Sequence, residues 1–149
     1  MELFDQISAD IKTAMLARDK VRLEALRNVK KFFIEAKTAP GANDTMTDEA
    51  GLKIIQKLVK QGKDSAQIYT SQNRPDLAEA ELAQVSVYEG YLPKQLSIEA
   101  LEAELKIIIE TVGASGPYDM GKVMGIATKA LSGKAEGRVI SETVKRLLT

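Results

Sequence analysis

The chain has 149 residues, 44% hydrophobic and 28% charged, so it is long enough to bury a core and too apolar to remain disordered. Its 21 basic and 21 acidic side chains cancel, which removes bulk charge as a reason to bind nucleic acid. Cysteine and histidine are both absent, which excludes disulfides, thiolate chemistry and the commonest metal ligand and neutral-pH proton carrier.

Apolar residues recur at helical spacing almost throughout. Leu3, Ile7, Ile11 and Met15 form the stripe of a first helix, and Asp19 is placed to cap a second in which Val21, Leu26, Val29, Phe33 and Ala36 face inward. Pro40-Gly41 ends it and opens a loop that runs to Met46. Thr47 caps a third helix, with Asp48 and Glu49 at its positive end and Leu52, Ile55, Leu58 or Val59, and Ile68 along its stripe as far as Ser71. Asn73-Arg74-Pro75-Asp76 makes a turn into a fourth helix carrying Leu77, Leu82, Val85, Tyr88 and Leu92, which must stop before Pro93.

Ser97 caps a fifth helix, in which Leu101, Leu105, Ile108 and Val112 point inward and which Gly113 closes. Asp119 is expected to cap a sixth helix through Leu131. After Ser132 to Gly137 a last helix holds Val139 or Ile140, Val144, Leu147 and Leu148. Nothing alternates with the period of a strand. The expectation is an all-α protein of two small bundles, a four-helix unit over 1–93 and a three-helix unit over 97–149.

Charge is uneven along the chain. Between Lys12 and Lys37 eight basic residues face Asp19, Glu24 and Glu35, whereas from Asp76 to Glu104 Lys94 is the single cation. From Gly113 onward Lys122, Lys129, Lys134, Arg138, Lys145 and Arg146 outnumber Asp119, Glu136 and Glu142. Lys53, Lys57 and Lys60 share one helical face, suited to phosphates or simply to solvent. Lys63-Asp64-Ser65 points in three directions on a helix and makes no triad, and the acidic run Glu99, Glu102 and Glu104 lacks the bending loop of an oxygen cage. No catalytic residue, metal site or cofactor is therefore assigned.

The last third carries the features that point to binding. Gly121 and Gly125, one turn apart, cost roughly 1 kcal/mol each against alanine inside a helix. Such a pair admits either another helix or a nucleic-acid backbone. Gly133-Lys134-Ala135-Glu136-Gly137-Arg138 is a turn with two cations before the last helix, whose free amides could hold a phosphate. It lacks the Gly-Lys-Ser/Thr ending of a P-loop. The basic candidates are Lys122, Lys129, Lys134 and Arg138, with Gly121, Gly125, Gly133 and Gly137 as close-approach positions. With no aromatic interleaved among these lysines, shape recognition of a folded RNA is expected rather than stacking on single strands.

Leu26-Arg27, Lys60 to Ser65, Tyr91-Leu92-Pro93-Lys94-Gln95-Leu96-Ser97, Asp119 to Gly125 and Gly133 to Arg138 stand together in an order that resembles the YqeY family, over essentially the whole chain. A homologous module forms the C-terminal tail of the GatB subunit of glutamine-dependent tRNA amidotransferase. Gly62 stands where the family pattern has arginine. The resemblance implies a two-bundle helical fold and a link to tRNA or a tRNA-charging enzyme. It transfers no active site, although it would carry the label of a carbon–nitrogen ligase with glutamine as amido donor. The resulting expectation is a tRNA-binding or amidotransferase-associated accessory module, with a protein-interaction adaptor as the alternative. The start, Met1 to Asp5, has no basic and apolar leader and no run approaches the roughly 18 apolar residues of a membrane span, so a cytoplasmic, non-membrane protein is expected.

Overall fold

The computed structural model describes residues 2–149, which contain seven α-helices, one 3-10 turn and no strand. Two compact units result, Met1–Leu92 and Pro93–Thr149.

In the first unit α1 (Glu2–Ala17), α2 (Lys20–Lys37), α3 (Asp48–Ser71) and α4 (Pro75–Glu89) enclose a core of Leu3, Ile7, Leu26, Val29, Phe33, Ile55, Leu58 and Tyr88. Local chemistry sets the boundaries. The Asp19 carboxylate accepts from the Arg22 amide at 3.1 Å and the Thr47 hydroxyl from the Ala50 amide at 3.1 Å, each satisfying a donor that the helix cannot. α4 begins with Pro75 in its first turn, where its fixed φ is already helical.

Tyr91 ties the end of this unit back to its beginning. Its hydroxyl donates to Asp10 at 2.5 Å and accepts from Arg22 at 3.2 Å, while the Arg22 guanidinium lies 5.9 Å from the ring centre. Burial, the hydrogen bond to Asp10 and the charge of Asp10 together push the Tyr91 hydroxyl well above the usual phenol range, against the opposing pull of Arg22.

Four residues expected inside lie largely in solvent: Met15, Val21, Ile68 and Leu82. Helical period alone put them on the inner stripe. Met15 and Val21 flank the turn between α1 and α2. Ile68 and Leu82 lie where α3 and α4 meet through small residues: Gly62, Ala66 and Ala78 are buried with Val85, and the latter three are outside the main core cluster. A side chain at Gly62 would place its Cβ 2.4 Å from Val85 Cγ2.

In the second unit α5 (Ile98–Val112), α6 (Met120–Ala130) and α7 (Gly137–Leu148) surround Leu101, Leu105, Ile108, Val123, Ala127, Leu131, Ile140 and Val144. The Ser97 hydroxyl accepts from Ala100 N at 3.1 Å, and Gly113 at φ 75° closes α5. Asp119 stands at the N-cap position of α6 as expected, but its side chain makes no cap bond there. A 3-10 turn, Pro117–Asp119, leads directly into α6, and the Asp119 carboxylate turns back to accept from Ser115 N at 3.0 Å.

Two outcomes test this unit-by-unit account. Gly62→Ala should cost roughly 1–3 kcal/mol in urea unfolding through overpacking, and Val85→Ala in the same chain should recover part of it. For Tyr91 the folded-state value is raised, so its stabilising contribution is intact below the unfolded value near 10 and is lost as pH rises toward the folded one. The urea midpoint should therefore fall above about pH 10. Tyr91→Phe should cost about 1 kcal/mol at neutral pH and make that alkaline decline shallower.

Candidate nucleic-acid interface

The sequence elements that set this chain apart converge in the second unit. Gly133, at φ 76°, adopts the left-handed conformation that favours glycine and turns its carbonyl toward the segment preceding α5. There the Gln95 side-chain amide donates to the Gly133 carbonyl at 2.6 Å and to the Pro93 carbonyl at 3.0 Å. Beside it the Leu96 amide donates to the Lys134 carbonyl at 3.0 Å. The Pro-Lys-Gln-Leu-Ser stretch thus lies along the Gly-Lys turn, although nearly forty positions separate them in the chain.

A cleft of about 540 Å³ results, with Lys94 and Lys134 on its walls and Ser97 and Ala100 from the start of α5 at its edge. Both lysines are exposed and have no partner among the described residues. Two cations beside the first turn of a helix make a surface suited to an anion. Lys94 and Gln95 escaped the sequence-based choice of site residues, because only the fold brings them to Lys134.

α6 offers a second surface. Gly121, Lys122, Gly125, Ile126, Lys129 and Ala130 line a shallow open depression of about 760 Å³. Among the described residues a Cβ on Gly121 or Gly125 would meet nothing within 4 Å, so no neighbouring helix of the second unit packs on either glycine. Lys122 and Lys129 are exposed on the same face without partners among the described residues, and Ile126 is 46% exposed between them. Tyr118, three residues before Gly121, is 84% exposed with its ring against Gly116. Its preceding Gly-Pro pair signals a turn in the sequence, yet not that the ring would face solvent.

The remaining candidates are placed differently. Gly137 opens α7 with nothing near its absent side chain, and Glu136 stands at the cap position without a side-chain cap bond. Arg138 turns along the helix to Glu142 at 3.1 Å, so its charge is met one turn downstream and not by Glu136. Lys53 pairs with Glu49 at 3.9 Å, and buried Gly62 leaves no cation at its own place on α3.

The basic stretch 12–37 is partly consumed internally. Lys37, its side chain only 13% exposed, has its ammonium 4.0 Å from the Phe4 ring centre, where Lys30 also lies at 5.8 Å, and Lys31 sits 5.0 Å from that of Phe32. Among the described residues no group of three or more acidic side chains could hold a metal ion, and no helix is long and apolar enough to cross a membrane.

A family model described as Yqey-like protein matches residues 4–148. Among curated relatives, a protein named Altered inheritance of mitochondria protein 41, mitochondrial, from Pyrenophora tritici-repentis is 27% identical over 96% of this chain and 79% of its own length. Proteins of the same name from Meyerozyma guilliermondii and Vanderwaltozyma polyspora are 32% and 34% identical, over 80% and 68% of this chain. The chain spans only 64% and 54% of their lengths. All three names place those proteins in mitochondria, which overturns the cytoplasmic expectation. That expectation rested on the first residues and on the lack of a membrane-length apolar run, and neither identifies a compartment.

Because nothing packs on the two α6 glycines, Gly121→Ala with Gly125→Ala should stabilise the second unit, by up to about 1 kcal/mol per site. Thermal unfolding followed by circular dichroism measures it. A lowered midpoint would show that the face is closed by contacts that these positions cannot spare.

Proposed function

Since the chain belongs to the YqeY-like protein family, we propose that it is an RNA-binding accessory module, with a folded RNA of the tRNA class as its ligand and no active site of its own. The observation that carries this reading is the α6 face, where two bare glycines lie beside two unpartnered lysines. Glycine there costs helix stability and gains no packing in return. A ligand that must come close to the helix backbone accounts for that cost. Sugar and phosphate fit it, because Lys122 and Lys129 stand where an anionic strand would cross.

Lys94 and Lys134 extend the same chemistry to the cleft before α5, while the Arg138–Glu142 pair leaves Arg138 a smaller part. Each lysine that neutralises a phosphate releases a counterion, so affinity should depend steeply on salt. Tyr118, four positions before Lys122 in the chain, adds an exposed ring, which widens the reading from shape recognition alone to stacking on one unpaired base. One observation favours the adaptor instead. Ile126 is exposed between the lysines and would be better covered by an acidic amphipathic helix of a partner protein.

Filter binding of unfractionated tRNA, titrated against salt, separates the two. On the RNA reading Lys122→Ala with Lys129→Ala should weaken retention about tenfold or more at low salt, and reduce the slope of log affinity against log salt by roughly one per lysine. The adaptor reading expects no retention even at low ionic strength. Retention with an unchanged slope in the double variant would remove α6 from the interface.

A further inference from the structure

The turn between α1 and α2 has no part in the surfaces described so far, and its composition is unusual for a surface that meets only water. Leu16 is 85% exposed, Met15 51% and Val21 47%, so three large apolar side chains crowd around one short connection. Lys12, one helical turn before Leu16, Arg18 in the turn and Lys20 at the start of α2 are exposed, their side chains without a partner among the described residues. The nearby Asp19 carboxylate is engaged by the Arg22 amide, and Arg22 itself is held by Tyr91 and Asp10.

Arg18 sits at φ 57°, the left-handed position after a helix where glycine is the usual residue. A cation stands at the apex in spite of its backbone cost.

We propose that this end of the hairpin docks on a phospholipid surface with anionic headgroups. Leu16, Met15 and Val21 enter the boundary between headgroups and acyl chains, and Lys12, Arg18 and Lys20 lie at headgroup level around them. Long basic side chains suit that place because their stems are apolar and their ends charged. The charge of the whole chain is zero, so attraction to an anionic surface must come from a local cluster such as this. An RNA backbone would engage the cations and leave the three apolar side chains in water. A peptide partner is normally received in a groove, whereas the end of a helical hairpin is convex.

Cosedimentation of the full chain with vesicles tests this. Vesicles of phosphatidylcholine containing about one-third phosphatidylglycerol should carry the protein down at low salt, and pure phosphatidylcholine should not. Leu16→Glu, at a site too exposed to affect folding, should lower the bound fraction at least about fivefold, as should the triple replacement of Lys12, Arg18 and Lys20 by alanine. Replacing Lys106 and Lys145, which are exposed on α5 and α7 of the second unit, by alanine should leave binding unchanged. Lack of cosedimentation with anionic vesicles overturns the proposal, as does a Leu16→Glu variant that partitions like the parent. Equal loss in the Lys106 and Lys145 variant would show a general attraction and overturn the assignment to this tip. If the tip variants lose tRNA retention while vesicle binding stays intact, the tip belongs to RNA and the lipid assignment fails.

Discussion

The second unit depends on two carbonyl oxygens. Those of Gly133 and Lys134 accept from Gln95 and from the backbone of Leu96, and by this they hold an irregular stretch of chain against the turn before α7. Residues outside a helix must find partners for their amides, and here one side-chain amide and one backbone amide find them on a single turn. The left-handed conformation of Gly133 orients the first of these acceptors. Once the segment is fixed, Ser97 begins α5 from a set position and Lys94 comes to face the same cleft as Lys134. The proposed binding surface therefore follows from backbone hydrogen bonding before it follows from charge.

The two units use their cations differently, and the distribution of rings is one physical reason. All three phenylalanines lie in the first unit, together with Tyr69, Tyr88 and Tyr91. There Phe4 receives two lysines, Phe32 one and Tyr91 an arginine. The second unit has a single aromatic residue, Tyr118. Lys122, Lys129 and Lys134 find no ring or carboxylate among the described residues and stay available, although the more basic stretch of sequence lies elsewhere.

What was legible in the sequence is what short-range chemistry fixes. Helix starts at Asp19, Thr47 and Ser97 and the end at Gly113 need only neighbours three or four residues away, and periodicity identified the seven helices. The Asp119 side chain failed as a cap because the 3-10 turn offered its carboxylate a different amide. The glycines exchanged roles for a related reason. Gly62 read as a lost arginine and proved to be a tight contact with Val85, while Gly121 and Gly125 had a packing use in prospect and proved bare. Only the third dimension tells a glycine under a neighbouring helix from one under solvent. Exposure of Met15 and Ile68 has the same origin, since a stripe says which residues share a face and not how far a partner helix extends along it. The Tyr91 and Gly133 segments stood out as family motifs, but their hydrogen bonds could not be read from spacing. The cellular compartment is not written in packing physics at all.

The bare glycines of α6 also bear on how the helix moves. Eleven residues with two glycines among them make a segment of low intrinsic helicity, held mainly by Val123 and Ala127 on its inner side. Two glycines in so short a helix lower the intrinsic cost of opening it locally. A surface carried on such a helix opens at lower cost than one on a helix without glycine. A ligand that binds only the ordered helix spends part of its interaction free energy on suppressing that opening. Affinity and helix order at α6 become linked quantities, and anything that stiffens this helix beforehand shifts the population toward the form that binds.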